Sequence, residues 1–377
     1  MSPLHCNGMR MHLADPADPF SAVTHAAPYD YYRRLADGPP LRFDAALDCL
    51  LATGAAGVHA VLEHPACRVR PPGLAVPHNL AGSSCGAIFA ELVRMNDGER
   101  HTVPKQALAR ALGQVDLARL QRQVAHLAGD RVPASAAQLN DAIFQLPLFA
   151  MADLLGFAPA QWPALAAWTR DFVACLSPLS NGAQLAGAQE AADSLLQGFG
   201  HLLREGNARP GSLLASIVTE ADAMGSGLLA NLVGLLSQTC DATAGLLGNV
   251  IVALRTQPDL LAQLRASPER WPAMLREVSR HDPSIHNTRR YTADVVECDG
   301  VCVPAGQMIV VVLASAGHAE SGFGHGRHIC PGQSIAYAIA AACLQAWADR
   351  LEDLPLAWRY LPSLNARIPV FSMGEIA

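Results

Sequence analysis

The chain has 377 residues, of which 51% are apolar and 16% charged, and its formal net charge is -6. That composition belongs to a globular chain able to bury a large core. It excludes a membrane-spanning helix, because the longest apolar stretch, Val301 to Gly317, is broken by Pro304, Gly306 and Gln307. It also argues against nucleic acid as a partner, since no basic run interrupts the acidic balance.

In chain order, Met1 to Pro19 carries His5, Arg10, His12 and acidic residues without a compact apolar segment, so it does not read as a secretory signal and a cytoplasmic location is expected. Leu41 to Phe43 and Cys49 to Ala52 read as strands, and Val58 to Glu63 as helical. The stretch from Cys67 to Cys85, with Pro71-Pro-Gly73 and Gly82-Ser-Ser84, reads as a mobile cover. From Asp116 to about Leu264 the chain is rich in Ala and Leu with apolar residues at helical spacing. Helices are predicted over Leu117 to Leu127, Gln138 to Leu155 with an interruption at Pro147, Leu185 to Leu203 and Ser226 to Leu254. Thr292 to Val303 alternates polar and apolar residues around Gly300, which predicts a short hairpin. The expected fold class is therefore mainly α with small β-sheets, and no repeat or linker divides residues 1–377, so one domain is expected. The ten cysteines are scattered irregularly and are expected to be reduced and mostly buried.

The chemistry concentrates in Phe323-Gly-His-Gly-Arg-His-Ile-Cys-Pro-Gly332, followed by a helical run from Ile335 to Leu351. A cysteine at a helix entrance meets free amides and the positive end of the dipole, which favour a thiolate. Gly324 and Gly326 let the backbone fold around the sulfur. Two plainer readings compete: Cys330 as a small buried apolar residue, or His318, His325, His328 and Cys330 as zinc ligands. The zinc reading leaves the phenylalanine, the spaced glycines and the Pro-Gly exit unexplained.

This segment, Phe323-Gly-x-Gly-x-His-x-Cys-x-Gly332, resembles the haem-thiolate signature of the cytochrome P450 family. The resemblance implies a helical prism with a small β-rich lobe that holds haem b, iron protoporphyrin IX, between the Ser226 to Leu254 and Ile335 to Leu351 helices. Cys330 would be the axial iron ligand, whose donation favours O-O cleavage. Phe323 would shield the sulfur, Gly332 would close the loop, and His328 would reach a propionate. Further matches follow the family's order. Glu277-Val-Ser-Arg280 resembles the Glu-x-x-Arg pair, whose spacing of three puts both side chains on one helix face. Arg290 matches the propionate-binding arginine, and a guanidinium fork suits a carboxylate. His101-x-x-x-Lys105 resembles His-x-x-x-Arg, with an ammonium where a fork is usual.

The chain also departs from the family. In Gln238-Thr-Cys-Asp-Ala-Thr-Ala-Gly245, Asp241 takes the acid position of the oxygen-activation segment, but Ala242 stands where most members carry a threonine. The hydroxyl of Thr243 lies one residue on, about 100° around the helix. Gln238 and Thr239 replace small residues, and His286 falls at a substrate-contact position, so a pocket more polar than usual is expected; for His286, a surface loop histidine is the competing reading. The connection before the cysteine loop is short, only Gly317-His-Ala-Glu-Ser-Gly322, which removes the arginine that completes the family's network with Glu277 and Arg280 and trims the face where an electron donor docks.

The expected activity is monooxygenation of a small organic substrate such as a natural-product intermediate, with a ferredoxin-type donor meeting a basic patch of Arg110, Arg119 and Arg122. One alternative keeps the haem but runs a peroxide-driven oxidation or a non-oxygenating rearrangement or dehydration. The other is a non-catalytic haem protein or recruitment scaffold.

Overall fold

The structure is a computed structural model that describes residues 14–204, 209, 211–298, 300–317 and 321–374. Most of it is helix. The helix Leu228–Thr256 runs through the middle and carries nineteen buried residues, so it reads as apolar nearly all round. Helices Ala136–Leu155, Gly182–Arg204, Trp162–Val173, Ser84–Glu91 and Gln333–Asp353 pack around it. Gln333–Asp353 also lies along Leu117–Gly129. Side-chain caps fix several helix starts: Ser83, Asp116 and Ser135 accept from the amides of Gly86, Arg119 and Gln138 at 3.1, 2.9 and 3.2 Å.

The interruption expected at Pro147 is absent. Ala136–Leu155 is one continuous helix with Pro147 buried inside it. Packing against the central helix outweighs the hydrogen bond that the proline forfeits.

A five-stranded sheet is ordered Leu41–Asp44, Cys49–Ala52, Met308–Val311, Thr288–Thr292 and Cys67–Arg68. Cys49–Ala52 runs parallel to Met308–Val311 and the other neighbours are antiparallel. All four residues of Cys49–Ala52 are buried, which explains their unbroken apolar character. Two hairpins complete the β structure: Val296–Cys298 with Val301–Val303, and Leu356–Tyr360 with Pro369–Met373. Gly300 between the first pair has φ +73, the left-handed region that favours glycine. The segment expected as a mobile cover is anchored at both ends, by strand Cys67–Arg68 and by Cys85 within helix Ser84–Glu91, with a single turn His78–Leu80 between them.

No helix among the described residues is long and apolar enough to cross a membrane. The nine described cysteines form no disulfide; only Cys302 is exposed.

Candidate active site

The cysteine loop closes on itself. The Cys330 amide donates to the Phe323 carbonyl at 2.9 Å, and a single helical turn, Gly326–His328, lies between them. Gly324 has φ +80, and a Cβ there would come within 3.3 Å of the His328 carbonyl. The ring of Phe323 packs edge-on against Tyr337 at 5.1 Å. Arg327 pins the loop by donating to the carbonyls of Glu63, His64 and Cys67 at 3.2, 2.8 and 2.8 Å. His325 pairs with Glu63 at 2.7 Å and stacks on His59 at 3.8 Å.

Gly332 is the N-cap of Gln333–Asp353 and its N-H is aimed at the Cys330 sulfur. Burial nevertheless pushes the Cys330 thiol up, and the Gly332 amide and the Lys105 ammonium only partly offset it. This corrects the expectation that the helix entrance alone favours the thiolate. Cys330 precedes the cap, so the dipole reaches it weakly, and a bound cation is needed to hold the deprotonated form.

Beside the sulfur, Lys105 donates to the Ile329 carbonyl. One turn back on its helix, Glu99–Gly113, His101 lies over the His328 ring at 4.0 Å. His328 Nε2 is 3.3 Å from Asp97 Oδ1, and the Val69 amide donates to the other oxygen at 2.9 Å. Burial raises the Asp97 carboxyl, but the His328 bond, the Val69 amide and the Arg327 charge together hold it below its ordinary value. Arg290, 5% exposed, donates to the Arg289 carbonyl at 2.8 Å and is lowered to about 10, chiefly by burial. His101 is pushed down to about 4 by burial and by His328 and Lys105.

Two buried donors here have no partner, His101 Nε2 and Arg290 Nε. Burying an unmet polar group costs roughly 1–3 kcal/mol. A cationic cleft with unmet donors, gathered round a single carboxylate beside a half-buried thiol, is what a haem with its two propionates would satisfy, so the residues present fit that group. The zinc reading fails: no group of three metal-ligating side chains exists among the described residues, His325 and His328 are taken by Glu63 and Asp97, and His318 lies outside the described residues.

On the other side, Leu228–Thr256 stays α-helical through the family's oxygen-activation segment. The Gln238 amide and Thr239 hydroxyl bond back to the carbonyls of Gly234 and Leu235 at 2.9 and 2.7 Å. Asp241 and Ala242 are partly open, whereas Thr243 is 3% exposed and faces the packed interior. Thr243 therefore does not replace a hydroxyl at position 242. Burial raises the Asp241 carboxyl, against the Cys240 thiol and the charges of Arg170 and Arg94.

Other expected residues land differently. Glu277 meets Arg280 at 3.4 Å and His281 at 3.1 Å, with about half of its side chain exposed. The deeply buried ion pair of this region is instead Asp282 with Arg367, at 3.1 Å. His286 is fully buried, which corrects the surface-loop reading; it is also not offered to a pocket, since Tyr32 takes its Nδ1 at 2.7 Å and Asp282 lies 3.9 Å from Nε2. Of the basic patch, Arg110 is occupied by Glu220 through two bonds of 2.9 and 2.6 Å. Sequence reasoning missed Asp97, four residues before His101. The Asp-x-x-x-His spacing was the available signal for it.

No family model matches the chain. Among curated proteins it is 28% identical to cytochrome P450 monooxygenase PikC of Streptomyces venezuelae over 88% of this chain and 85% of that protein. It is 26% identical to Cytochrome P450 107B1 of Saccharopolyspora erythraea over 59% of this chain, and spans only 61% of that relative's length. Among solved structures, CalO2 superposes with a TM-score of 0.79 at 22% identity, covering 97% of this chain and 99% of CalO2.

Proposed function

We propose, for a chain that belongs to the cytochrome P450 family, that it is a haem-thiolate monooxygenase acting on a small organic substrate, built as a single domain. The observation that carries this reading is the half-buried Cys330 thiol, which takes the Gly332 N-H and lies beside a cationic cleft with two unpartnered buried nitrogens, His101 Nε2 and Arg290 Nε. Haem b is the family's cofactor, and when bound it supplies the redox chemistry of oxygen activation.

In this reading Cys330 would be the thiolate ligand to the iron, and the Gly332 amide and Lys105 ammonium would moderate its negative charge. Phe323, braced by Tyr337, would keep water from the sulfur. His101, Lys105, Arg290 and His328 would hold the propionates, with Asp97 orienting His328. Asp241 holds its proton at higher pH than an exposed aspartate does and sits next to the partly open Ala242, so it could serve as a proton donor at that point of the helix. Glu277 and Arg280 brace the helix Trp271–His281. A ferredoxin-type protein is the electron donor in this scheme, in the cytoplasm.

Ala242 and the short connection Gly317 to Gly322 favour a second reading, in which the same haem site runs a peroxide-driven or non-oxygenating reaction without a protein donor. Reduced protein under carbon monoxide should give the red-shifted Soret band of an iron thiolate; a histidine-type band or colourless protein overturns both readings. Turnover with a surrogate ferredoxin system against turnover with peroxide then separates them.

A further inference from the structure

Most of the central helix Leu228–Thr256 is sealed, with residues 231–234 and 243–252 buried without exception. Between these stretches it opens. Leu235, Gln238, Thr239, Asp241 and Ala242 are all at least partly exposed, Gln238 most of all. At 100° per residue the five share one side of the helix, about 160° wide and roughly 10 Å long.

On that same side the helix is tightly covered at both ends of the opening. A Cβ on Gly234 would fall 2.9 Å from Leu92, and one on Gly245 would fall 2.9 Å from the Arg367 carbonyl and from Ser284. The covering segments run on into the cationic cleft beside Cys330. Leu92 leads to Asp97 and His101 through Asn96, which is 1% exposed and donates to the carbonyls of Ala90 and Leu92 at 2.9 and 2.8 Å. Ser284 leads to Arg290. The opening in the helix and the cleft are therefore framed by the same two stretches of chain, residues 92–101 and 284–290.

Two uncharged polar side chains sit in the opening, and both are fixed by bonds to their own helix. The Gln238 amide donates to the Gly234 carbonyl at 2.9 Å and the Thr239 hydroxyl to the Leu235 carbonyl at 2.7 Å. A carbonyl only accepts, so these bonds consume the hydroxyl proton of Thr239 and one N-H of Gln238. What remains for a ligand is rich in acceptors: both lone pairs of Gln238 Oε1 and of Thr239 Oγ1, against the single amide N-H left over. The backbone N-H groups are spent within the helix, and residues 235–242 include no Lys, Arg or His. An apolar ligand surface laid here would strip water from two oxygens and replace none of its hydrogen bonds, whereas a hydroxyl or an N-H would replace them.

We propose that Gln238 and Thr239 form an acceptor-rich wall that selects a substrate presenting a hydroxyl or N-H donor to the central helix. The assignment rests on the haem-thiolate reading and names the chemistry of its substrate.

The test uses the haem-loaded wild type, Gln238→Leu and Thr239→Val. The probes are 4-phenylimidazoles with a hydroxyl at the ortho, meta or para position of the phenyl ring, each against its methoxy counterpart, which accepts but cannot donate. The imidazole nitrogen ties every probe to the iron, and the Soret shift of nitrogen ligation reports affinity. In wild type at least one hydroxyl isomer should bind roughly three- to tenfold tighter than its methoxy counterpart, the range of a neutral hydrogen bond. Gln238→Leu should lower that ratio by a similar factor while methoxy affinity stays within about twofold, and Thr239→Val should lower it as well. A wild type without the preference for any isomer, or a preference that neither variant lowers, overturns the proposal. The carbon monoxide spectrum separates the two levels: a wild type lacking the iron-thiolate band overturns the parent reading, whereas a wild type with the band but without the hydroxyl preference overturns this proposal alone. If Gln238→Leu itself loses the band, the ratio in Thr239→Val decides.

Discussion

Replacing Arg367 by methionine tests how this shortened chain holds its active-site framework together. Arg367 is 1% exposed and donates to Asp282 at 3.1 Å and to the carbonyls of Val23 and His25 at 2.9 and 2.8 Å. Its guanidinium lies 3.5 Å over the Tyr360 ring. Asp282 also receives the Tyr29 hydroxyl and stands 3.9 Å from His286. Methionine keeps the stem's volume but strands Asp282 and two carbonyls. Breaking a buried ion pair from one side costs about 3–5 kcal/mol, and the remaining Tyr29 bond argues for the lower half of that range. Asp282→Asn should be milder, and the double variant should be more stable than the sum of the two losses implies, by roughly 1.5 kcal/mol or more.

The pH dependence follows from Asp282. Burial acts to raise its carboxyl, but Arg367, followed by His286 and Tyr29, outweighs this and holds it below the ordinary value. A depressed carboxyl binds fewer protons folded than unfolded, so its stabilisation is complete above about pH 5 and is lost as pH falls through the folded value. Urea denaturation of wild type and Arg367→Met from neutral pH down to about pH 3 should therefore show a stability gap that narrows with acid. A gap below about 1 kcal/mol at neutral pH, or one independent of pH, refutes the reasoning.

Cys330→Ser should remove the iron-thiolate band under carbon monoxide while far-UV dichroism stays unchanged; a variant that keeps the band refutes the ligand assignment. Ala242→Thr should change the ratio of product formed to electrons consumed if the chain uses dioxygen and a donor, and should leave turnover unchanged in a non-oxygenating reaction. Gly248→Ala should cost about 1–3 kcal/mol, because the new Cβ would fall 2.7 Å from the Pro369 ring, which has no rotamer by which to yield. Gly198→Ala, with nothing within 4 Å in the helix Gly182–Arg204, should instead stabilise by roughly 0.5–1 kcal/mol in the same denaturation assay.

What the sequence determined by itself is what short-range chemistry encodes. The loop Phe323 to Gly332 is legible because its glycines, cysteine and proline act on neighbours a few residues away, and the central helix is legible because its apolar residues keep helical spacing over seven turns or more. The same local reading misjudged Pro147, where packing from distant segments overrides an intrinsic preference, and His286, whose hydroxyl partner Tyr32 is 254 residues away. It passed over Asp97, whose partner His328 is 231 residues away, and Arg367, which joins the first described segment to the last. Such pairings become visible only when the folded chain shows which groups share a space, because the energy of a buried charge depends on distances and desolvation that sequence separation does not record.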